Sequence, residues 1–185
     1  MLFRSAVIEN LQVTQEEIDE AFAGMDPYFL ETLRQAAANI KNFHRQQVHK
    51  NFVVNDKPGI VLGQKYTPIE KAGVYVPGGT AAYPSTVLMD VIPAKVAGVA
   101  EIVMTTPAGK DGKVNPVILA AAATAGVTKI FKTGGAQAVA ALAYGTQTIP
   151  AVDKIVGPGN IYVATAKRKV FGKVEIGRAS CRERV

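Results

Sequence analysis

Four short β-branched runs beyond residue 70 each lead, after a turn, into an alanine-rich helical pattern. The runs are GVYV, AEIVMTT, TKIFKT and DKIVG. The helical patterns end at Gly98, Gly126, Gly145 and Gly172, where glycine supplies the left-handed residue that closes a helix. Strands that alternate with helices form parallel sheets with right-handed crossovers. The sequence therefore predicts an α/β fold, in which a parallel sheet is flanked by helices.

Two helical patterns precede these runs. Thr14 and Glu17 form a capping box before the first pattern, because each side chain can accept a backbone N–H at the helix start. Asp26, followed by proline, begins the second pattern, which carries an apolar stripe at helical spacing. The stripe consists of Phe29, Leu33, Ala36, Ile40 and Phe43. We expect residues 1–51, the N-terminal arm, to be helical and to pack outside an α/β domain of residues 52–174, or against a partner chain.

Glycine-rich turns follow three of the four runs, at residues 77–80, 134–137 and 157–160. We refer to them as the three glycine turns. In an open parallel sheet the carboxyl ends of the strands form the ligand crevice, where glycine lets backbone N–H groups approach a phosphate. None of the turns has the pattern G-x-G-x-x-G or that of a P-loop, and glycine at such a turn often only allows the bend. Two interpretations therefore stay open, a Rossmann-like nucleotide or phosphate site and a set of structural bends.

The basic residues are not arranged for nucleic-acid binding. The chain has 21 Lys and Arg residues against 15 Asp and Glu residues, which gives a formal net charge of +6. The densest basic run before the last residues of the chain spans residues 167–173, and we interpret it as a helix end, where cations complement the helix dipole. Aromatic residues do not interleave with basic ones as they do in stacking platforms for single strands. We predict no nucleic-acid partner.

No stretch of the sequence reaches the roughly 20 uninterrupted apolar residues of a bilayer span. The most apolar stretch, STVLMDVIPAKVAGVAEIVM, contains Asp90, Pro93, Lys95 and Glu101. The first residues, MLFRSAVIENLQVT, lack the long apolar core and the cleavage site of a secretory signal. We expect no membrane contact and a cytoplasmic location.

Several motifs in this chain closely resemble those of one enzyme family. Y-V-P-G-G, P-S-T-V-L-M, G-G-A-Q-A and V-D-K-I-V-G-P-G-N follow one another in the order of histidinol dehydrogenases, and the resemblance spans about residues 10–174. It implies a four-electron oxidation of L-histidinol to L-histidine through the aldehyde, in histidine biosynthesis. It also implies two NAD molecules used in turn, a bound zinc and a homodimer.

The resemblance places NAD contacts at Tyr75, Gln137 and Asn160, one in each of the three matching glycine motifs. Their chemistry suits that role, because a Tyr ring offers a stacking face and a hydroxyl, and the two amides can donate to and accept from ribose or phosphate oxygens. Structural roles are also open to them. Tyr75 is placed as a half-buried strand aromatic, and Asn160 as a helix N-cap.

The zinc ligands and the acid–base residues that the resemblance implies lie downstream of position 174. We therefore predict no catalytic and no metal-binding residue in this chain, and no histidinol oxidation by the chain alone. His44 and His49 are five residues apart on the predicted second helix, which turns them to different faces, unlike the i, i+4 pairs that share a metal. We interpret Asp153 as a polar residue at a strand start, and the sequence leaves the role of Asp90 open.

The end of the chain departs from the family pattern. Residues 175–185 read EIGRASCRERV, which is similar to the translation of a widely used DNA-sequencing adapter. We expect Val174 to be the last native residue, residues 175–185 to be a non-native tail without packing partners, and Cys181 to have no biological role. The resemblance covers less than half of the family's chain, which indicates an internal fragment.

Two other functions stay open on the sequence. A related dehydrogenase that acts on another small alcohol, such as a sulfonated diol, would share the glycine turns. A non-catalytic binding module is the second alternative. The motifs P-S-T-V-L-M and G-G-A-Q-A favour the histidinol enzyme over both.

Overall fold

The computed structural model of the protein describes Ile8, residues 10–78 and residues 82–177. The helices within these ranges are α1 (Gln15–Ala23), α2 (Pro27–Arg45), α3 (Pro84–Val96), α4 (Pro116–Ala125), α5 (Gly135–Tyr144) and α6 (Ile161–Val170). The strands are β1 (Phe52–Lys57), β2 (Ile60–Gln64), β3 (Lys71–Tyr75), β4 (Glu101–Thr105), β5 (Lys129–Phe131), β6 (Lys154–Val156) and β7 (Glu175–Ile176).

Five strands form one parallel sheet in the order β5-β4-β3-β6-β7. The chain moves from β3 outwards to β5, and then returns to the other side of β3 to form β6. The direction of winding therefore reverses between β3 and β6, which is the topological switch point of a doubly wound sheet. The predicted α/β fold with a Rossmann-like parallel sheet is confirmed.

Helices cover both faces of this sheet. On one face, Val74, Met104 and Ile130 pack under α3 and α4. On the other face, Tyr75 and Ile155 lie in a core with residues of α5 and α6. Helix α5 approaches the central strand closely because Gly73 has no side chain: a Cβ there would lie 3.2 Å from both terminal carbons of Leu142.

The N-terminal arm forms a second layer over α3 and α4, outside the sheet as predicted. The Thr14 capping box and the Asp26 cap are both present. The predicted stripe of α2 is wrong at its end, because Phe43 is exposed, and it omits Leu30, which is buried. The pattern identified the helix but not which of its turns reach α3.

The arm also closes the β5 edge of the sheet. The N–H of Val13 donates to the carbonyl of Ile130, and the N–H of Lys132 donates to the carbonyl of Leu11. The Lys132 ammonium lies 2.7 Å from the Glu17 carboxylate, and Lys132 is buried. The first turn of α1 is thus tied to the residue that follows β5.

The antiparallel hairpin of β1 and β2 was not predicted from the sequence. The hairpin turns at Gly59, whose φ of 78° is in the left-handed region that favours glycine. All residues of both strands are exposed. Although both strands contain apolar residues, they are not buried, because nothing in the described part of the chain covers this hairpin.

The expectation that the residues after Val174 have no packing partners is wrong for the first of them. Glu175 and Ile176 form β7, which pairs with β6, and the N–H of Gly177 donates to the carbonyl of Ile155. The strand pairing is made by backbone hydrogen bonds, which almost any extended segment can make at a sheet edge, and Ile176 also packs against the core that contains Ile155. Pairing of this kind does not depend on the side chains, and Arg178 and Cys181 lie outside the described residues.

Candidate functional site

The three glycine turns lie at the carboxyl edge of the sheet, where they follow β3, β5 and β6. Gly79 and Thr80 lie outside the described residues. Pro107, which follows β4, packs between the first two turns: a Cβ at Gly134 would lie 2.7 Å from the Pro107 Cβ, and a Cβ at Gly78 would overlap the Pro107 ring. The predicted gathering of the turns at one edge is confirmed for the described residues.

The third glycine turn lies against the central strand. Gly157 has a φ of 101°, a conformation that L side chains rarely adopt, and a Cβ there would overlap the carbonyl group of Tyr75. Since β6 is the neighbour of β3, this close approach occurs at the switch point of the sheet. Glycine is required at this position for two reasons, its backbone conformation and the lack of space.

Tyr75 links the turns through its side chain as well. Its hydroxyl oxygen accepts a hydrogen bond of 3.1 Å from the N–H of Gly135, at the start of α5. The residue is only 4% exposed, and burial raises the pKa of its hydroxyl despite that hydrogen bond. The ring is part of the core rather than an open stacking face, so the hydroxyl is the part of Tyr75 engaged at the glycine turns.

Gln137 lies in the first turn of α5 and is exposed. The N-cap of this helix, Gly134, has no side chain that could bond the first N–H groups. Uncapped N–H groups at a helix start favour an anion, because the helix dipole adds to their partial charges. An exposed amide side chain therefore stands at a helix start that has no N-cap side chain and whose Gly135 N–H is bound by the Tyr75 hydroxyl.

Asn160 is the N-cap of α6, as the sequence suggested. Its side-chain oxygen accepts hydrogen bonds of 3.1 Å from the N–H groups of Tyr162 and Val163. The residue is exposed, and capping uses only the oxygen of its amide. The amide nitrogen still has two N–H groups to offer, so the capping role and a ligand contact are compatible.

Lys167 is a site residue that the sequence analysis did not identify. We interpreted it as one of several cations at a helix end, but it is buried and its ammonium donates to the carbonyl of Gly157. It lies on the same stripe of α6 as the buried residues Val163 and Val170. A lysine at an apolar position of a helix was the available signal.

Asp90 of α3 is electrostatically coupled to Lys167. Burial raises the pKa of the Asp90 carboxyl to about 6, and the positive charge of Lys167 acts in the opposite direction. The sequence had left this residue without a role. The structure places it within the electrostatic reach of the cation that holds the third glycine turn.

The remaining polar candidates lie away from the glycine turns. The prediction that His49 lies on the second helix is wrong, because α2 ends at Arg45. His49 stacks on Tyr66 with ring centroids 4.6 Å apart. Asp153 accepts a 2.8 Å hydrogen bond from the N–H of Lys71 at the amino ends of β3 and β6, as a strand-start residue would. Within the described ranges, no three His, Cys, Asp or Glu side chains come together as metal ligands.

A surface cleft opens at the opposite end of β6. It lies between the end of α5 and residues 171–176, and its lining includes Val152, Asp153 and Phe171. The three glycine turns do not line this cleft. None of the helices in the described ranges has both the length and the apolar character that a membrane crossing requires.

The fold and its carboxyl edge place the chain in the class of open, doubly wound α/β proteins, whose ligands bind at the switch point. The family profile of histidinol dehydrogenase matches residues 2–180, and the chain belongs to that family.

The curated relatives agree with this assignment. The histidinol dehydrogenase of Geobacillus kaustophilus is 58% identical over 174 residues, which cover 94% of this chain and 41% of that protein. The histidinol dehydrogenase of Chlorobaculum tepidum is 56% identical over the same length and share. The chain thus spans about two fifths of the length of the curated relatives it matches.

A solved structure is similar throughout the described fold. The crystal structure of histidinol dehydrogenase from Elizabethkingia anophelis superposes with a TM-score of 0.91 at 38% sequence identity. The superposition covers 95% of this chain and 41% of that one.

Proposed function

We propose that this chain supplies the NAD-binding part of an enzyme that oxidises L-histidinol to L-histidine. The observation that carries the proposal is the 58% identity to histidinol dehydrogenases along nearly the whole chain. The glycine turns at the switch point of a doubly wound sheet support it, because this is where such sheets bind dinucleotides.

The overall change removes four electrons from the substrate. The alcohol carbon loses a hydride and its hydroxyl group loses a proton to give the aldehyde, and the hydrated aldehyde then loses a second hydride from carbon and a proton from oxygen to give the carboxylic acid. Water supplies the second oxygen of that acid. NAD, when bound, accepts one hydride in each of the two steps.

The residues of this chain would bind and orient the dinucleotide. The Gln137 and Asn160 amides are exposed and can donate to ribose or phosphate oxygens, while the Tyr75 hydroxyl holds the start of α5. The uncapped start of α5 suits a phosphate group. The absence of Cβ atoms at Gly134 and Gly157 keeps the turns close to the sheet. We propose these contacts as the NAD site.

Zinc does not fit the described residues as a site, since they bring no three candidate ligands together. We propose that zinc binds in the part of the family chain that this one does not span, and we derive no step of the reaction through it. Homodimer formation stays a prediction from the resemblance, and a cytoplasmic location stays a prediction from the sequence. The names of the matched relatives favour histidinol over a sulfonated diol, and they favour an enzyme over a non-catalytic binding module.

The test joins residues 1–174 to the downstream part of the Geobacillus kaustophilus enzyme. We expect this chimera to form NADH with histidinol and to lose that activity with a zinc chelator, while the 185-residue chain alone forms none. Gln137→Ala in the chimera should raise the KM for NAD about tenfold, the equivalent of about 1.4 kcal/mol of lost binding. Gln147→Ala is the matched control, because Gln147 is exposed in the loop after α5.

Turnover by the chain alone would contradict the proposal. So would a folded chimera that oxidises another alcohol and is inert toward histidinol. An equal rise in the KM for NAD in the Gln137 and Gln147 variants would remove Gln137 from the site.

A further inference from the structure

The ammonium of Lys167 occupies a place where an apolar side chain would be expected. Lys167 lies between Val163 and Val170 on the buried stripe of α6, and it is only 8% exposed. Burying an ammonium is unfavourable unless polar groups replace its hydration. One of its partners is the carbonyl oxygen of Gly157, the first residue of the third glycine turn.

A second lysine makes the same kind of hydrogen bond elsewhere, and the difference between the two is informative. Lys95 donates to the carbonyl of Gly126 at 2.7 Å, beyond the end of α4, and Lys95 is exposed. There the ammonium closes a helix end that faces water. A lysine can therefore bind a glycine carbonyl without being buried, and the burial of Lys167 needs another reason.

The third glycine turn is held at three points. The backbone of Gly157 lies against the Tyr75 carbonyl, which leaves no room for a Cβ. Lys167 binds the Gly157 carbonyl oxygen, and three residues further on Asn160 caps α6 with its side chain. Of these three, only Lys167 brings a formal positive charge to the carboxyl edge of the sheet at the switch point.

The charged surroundings of Lys167 include Asp90 on α3. The two residues stand on helices that cover opposite faces of the sheet, α3 on one and α6 on the other. A carboxyl group on one face of the sheet therefore interacts electrostatically with the cation that holds the third glycine turn. Electrostatic interactions are strongest in such partly dry surroundings.

We infer that Lys167 is a cofactor-positioning residue, which holds the turn at residues 157–160 in its ligand-binding conformation and directs positive potential at the phosphates of the dinucleotide. This inference rests on the proposed function. It adds a charged group to a site whose other candidate contacts, Tyr75, Gln137 and Asn160, carry no formal charge.

The test measures equilibrium binding to the chimera described above by calorimetry, with three probes. ADP-ribose and NADH carry the pyrophosphate, and adenosine does not. Lys167→Met should weaken the binding of ADP-ribose and NADH at least about tenfold and that of adenosine less than about twofold. The kcat at saturating NAD should stay within about threefold, because a positioning residue does not touch the reacting atoms.

Two further variants complete the test. Lys167→Gln keeps a hydrogen-bond donor and removes the charge, so it should show the same selective loss for ADP-ribose, and it serves if the Met variant does not fold. Lys95→Met is the matched control, because it removes the hydrogen bond from Lys95 to the Gly126 carbonyl, which lies far from the glycine turns. This variant should bind all three probes as tightly as the parent chimera does.

The outcomes separate the two proposals. A parent chimera that binds no NAD overturns both. A parent that binds NAD and oxidises histidinol, with Lys167 variants that bind ADP-ribose unchanged, overturns the role of Lys167 alone. Equal loss of adenosine and ADP-ribose binding also overturns it, since that result marks general damage to the fold.

Discussion

The parallel sheet and the β1–β2 hairpin are both built from short strands rich in β-branched residues, yet their surroundings are opposite. In β3, every residue after Lys71 is buried, while no residue of β1 or β2 is. The sheet has helices on both faces and the N-terminal arm along one edge. The difference teaches that covering layers, rather than strand composition, decide which strands carry the stability of this chain.

The hairpin cannot contribute much to that stability by itself. Val53 and Val61 are 70% and 72% exposed, so folding removes little of their apolar surface from water. Two-stranded hairpins without a covered face are marginally stable in water. We therefore expect substitutions in the two regions to have very different effects.

The largest contrast is expected between Leu142→Ala and Val61→Ala. Leu142 is fully buried over Gly73 of the central strand, so its truncation leaves a cavity and should lower the free energy of unfolding by about 2–5 kcal/mol. Val61→Ala should change it by less than about 0.5 kcal/mol. Urea denaturation of both variants measures the difference. Similar losses in the two would mean that the hairpin is covered as well as the sheet is.

A smaller effect is expected where the N-terminal arm meets the sheet edge. Glu17→Gln weakens the contact with buried Lys132 and should lower the free energy of unfolding by about 1–3 kcal/mol at neutral pH. Burial alone raises the pKa of Glu17, but hydrogen bonds from Lys132 and the Thr14 N–H, together with the positive charges of Lys132 and Lys113, outweigh it and hold the pKa below the usual 4.5. A carboxyl group whose pKa is lowered by folding stabilises the fold at pH values above its pKa in the unfolded chain. This contribution disappears as the pH falls through the pKa of the folded state.

The difference between wild type and the Glu17 variant should therefore be constant near neutral pH and shrink below about pH 4.5. Glu31→Gln is the matched control, because Glu31 pairs with Arg34 at 3.4 Å on the exposed surface of α2. Thermal unfolding at several pH values measures both. A difference for Glu17 that grows on acidification would contradict the sign of its pKa shift.

The smallest effect is expected at the opposite edge of the sheet, where Glu175 of β7 pairs with Lys154 at 3.3 Å. Both side chains are exposed, and such pairs contribute about 0–1 kcal/mol. Glu175→Gln should shift the urea midpoint by little, and the shift should vanish in high salt. A loss as large as that of Glu17→Gln would show that the two edges are equally well covered.

Local patterns in the sequence were sufficient to predict four of the five strands of the sheet and the helices that follow them. Buried parallel strands read as continuous apolar runs, and the glycines that follow their helices mark the ends. The hairpin was missed because its apolar residues belong to an exposed ribbon, and exposure depends on what lies above a strand. The β7 pairing was missed because backbone hydrogen bonds leave little trace in the sequence.

The position of the glycine turns could be predicted from the sequence, but the burial of the side chains beneath them could not. Glycine spacing located the edge and the resemblance named Tyr75, Gln137 and Asn160, whereas the burial of the Tyr75 ring depends on α5 packing over β3. Lys167 was interpreted as one of the helix-end cations because several cations stand together at the end of α6. Its burial follows from the position of Gly157, ten residues earlier, which only the folded turn reveals.

The contact between Glu17 and Lys132 has a consequence for the synthesis of the chain, because 115 positions separate the two residues. A ribosome makes α1 and α2 well before it makes β5, whose edge the arm covers. While β5 is still missing, the hydrogen bonds and the ion pair of the arm at the sheet edge cannot form, and its apolar residues can pack only on α3 and α4 once these helices have emerged. The contacts of α1 with the sheet edge are thus made only after β5 has emerged, so α1 is fixed at that edge later than its place in the chain suggests.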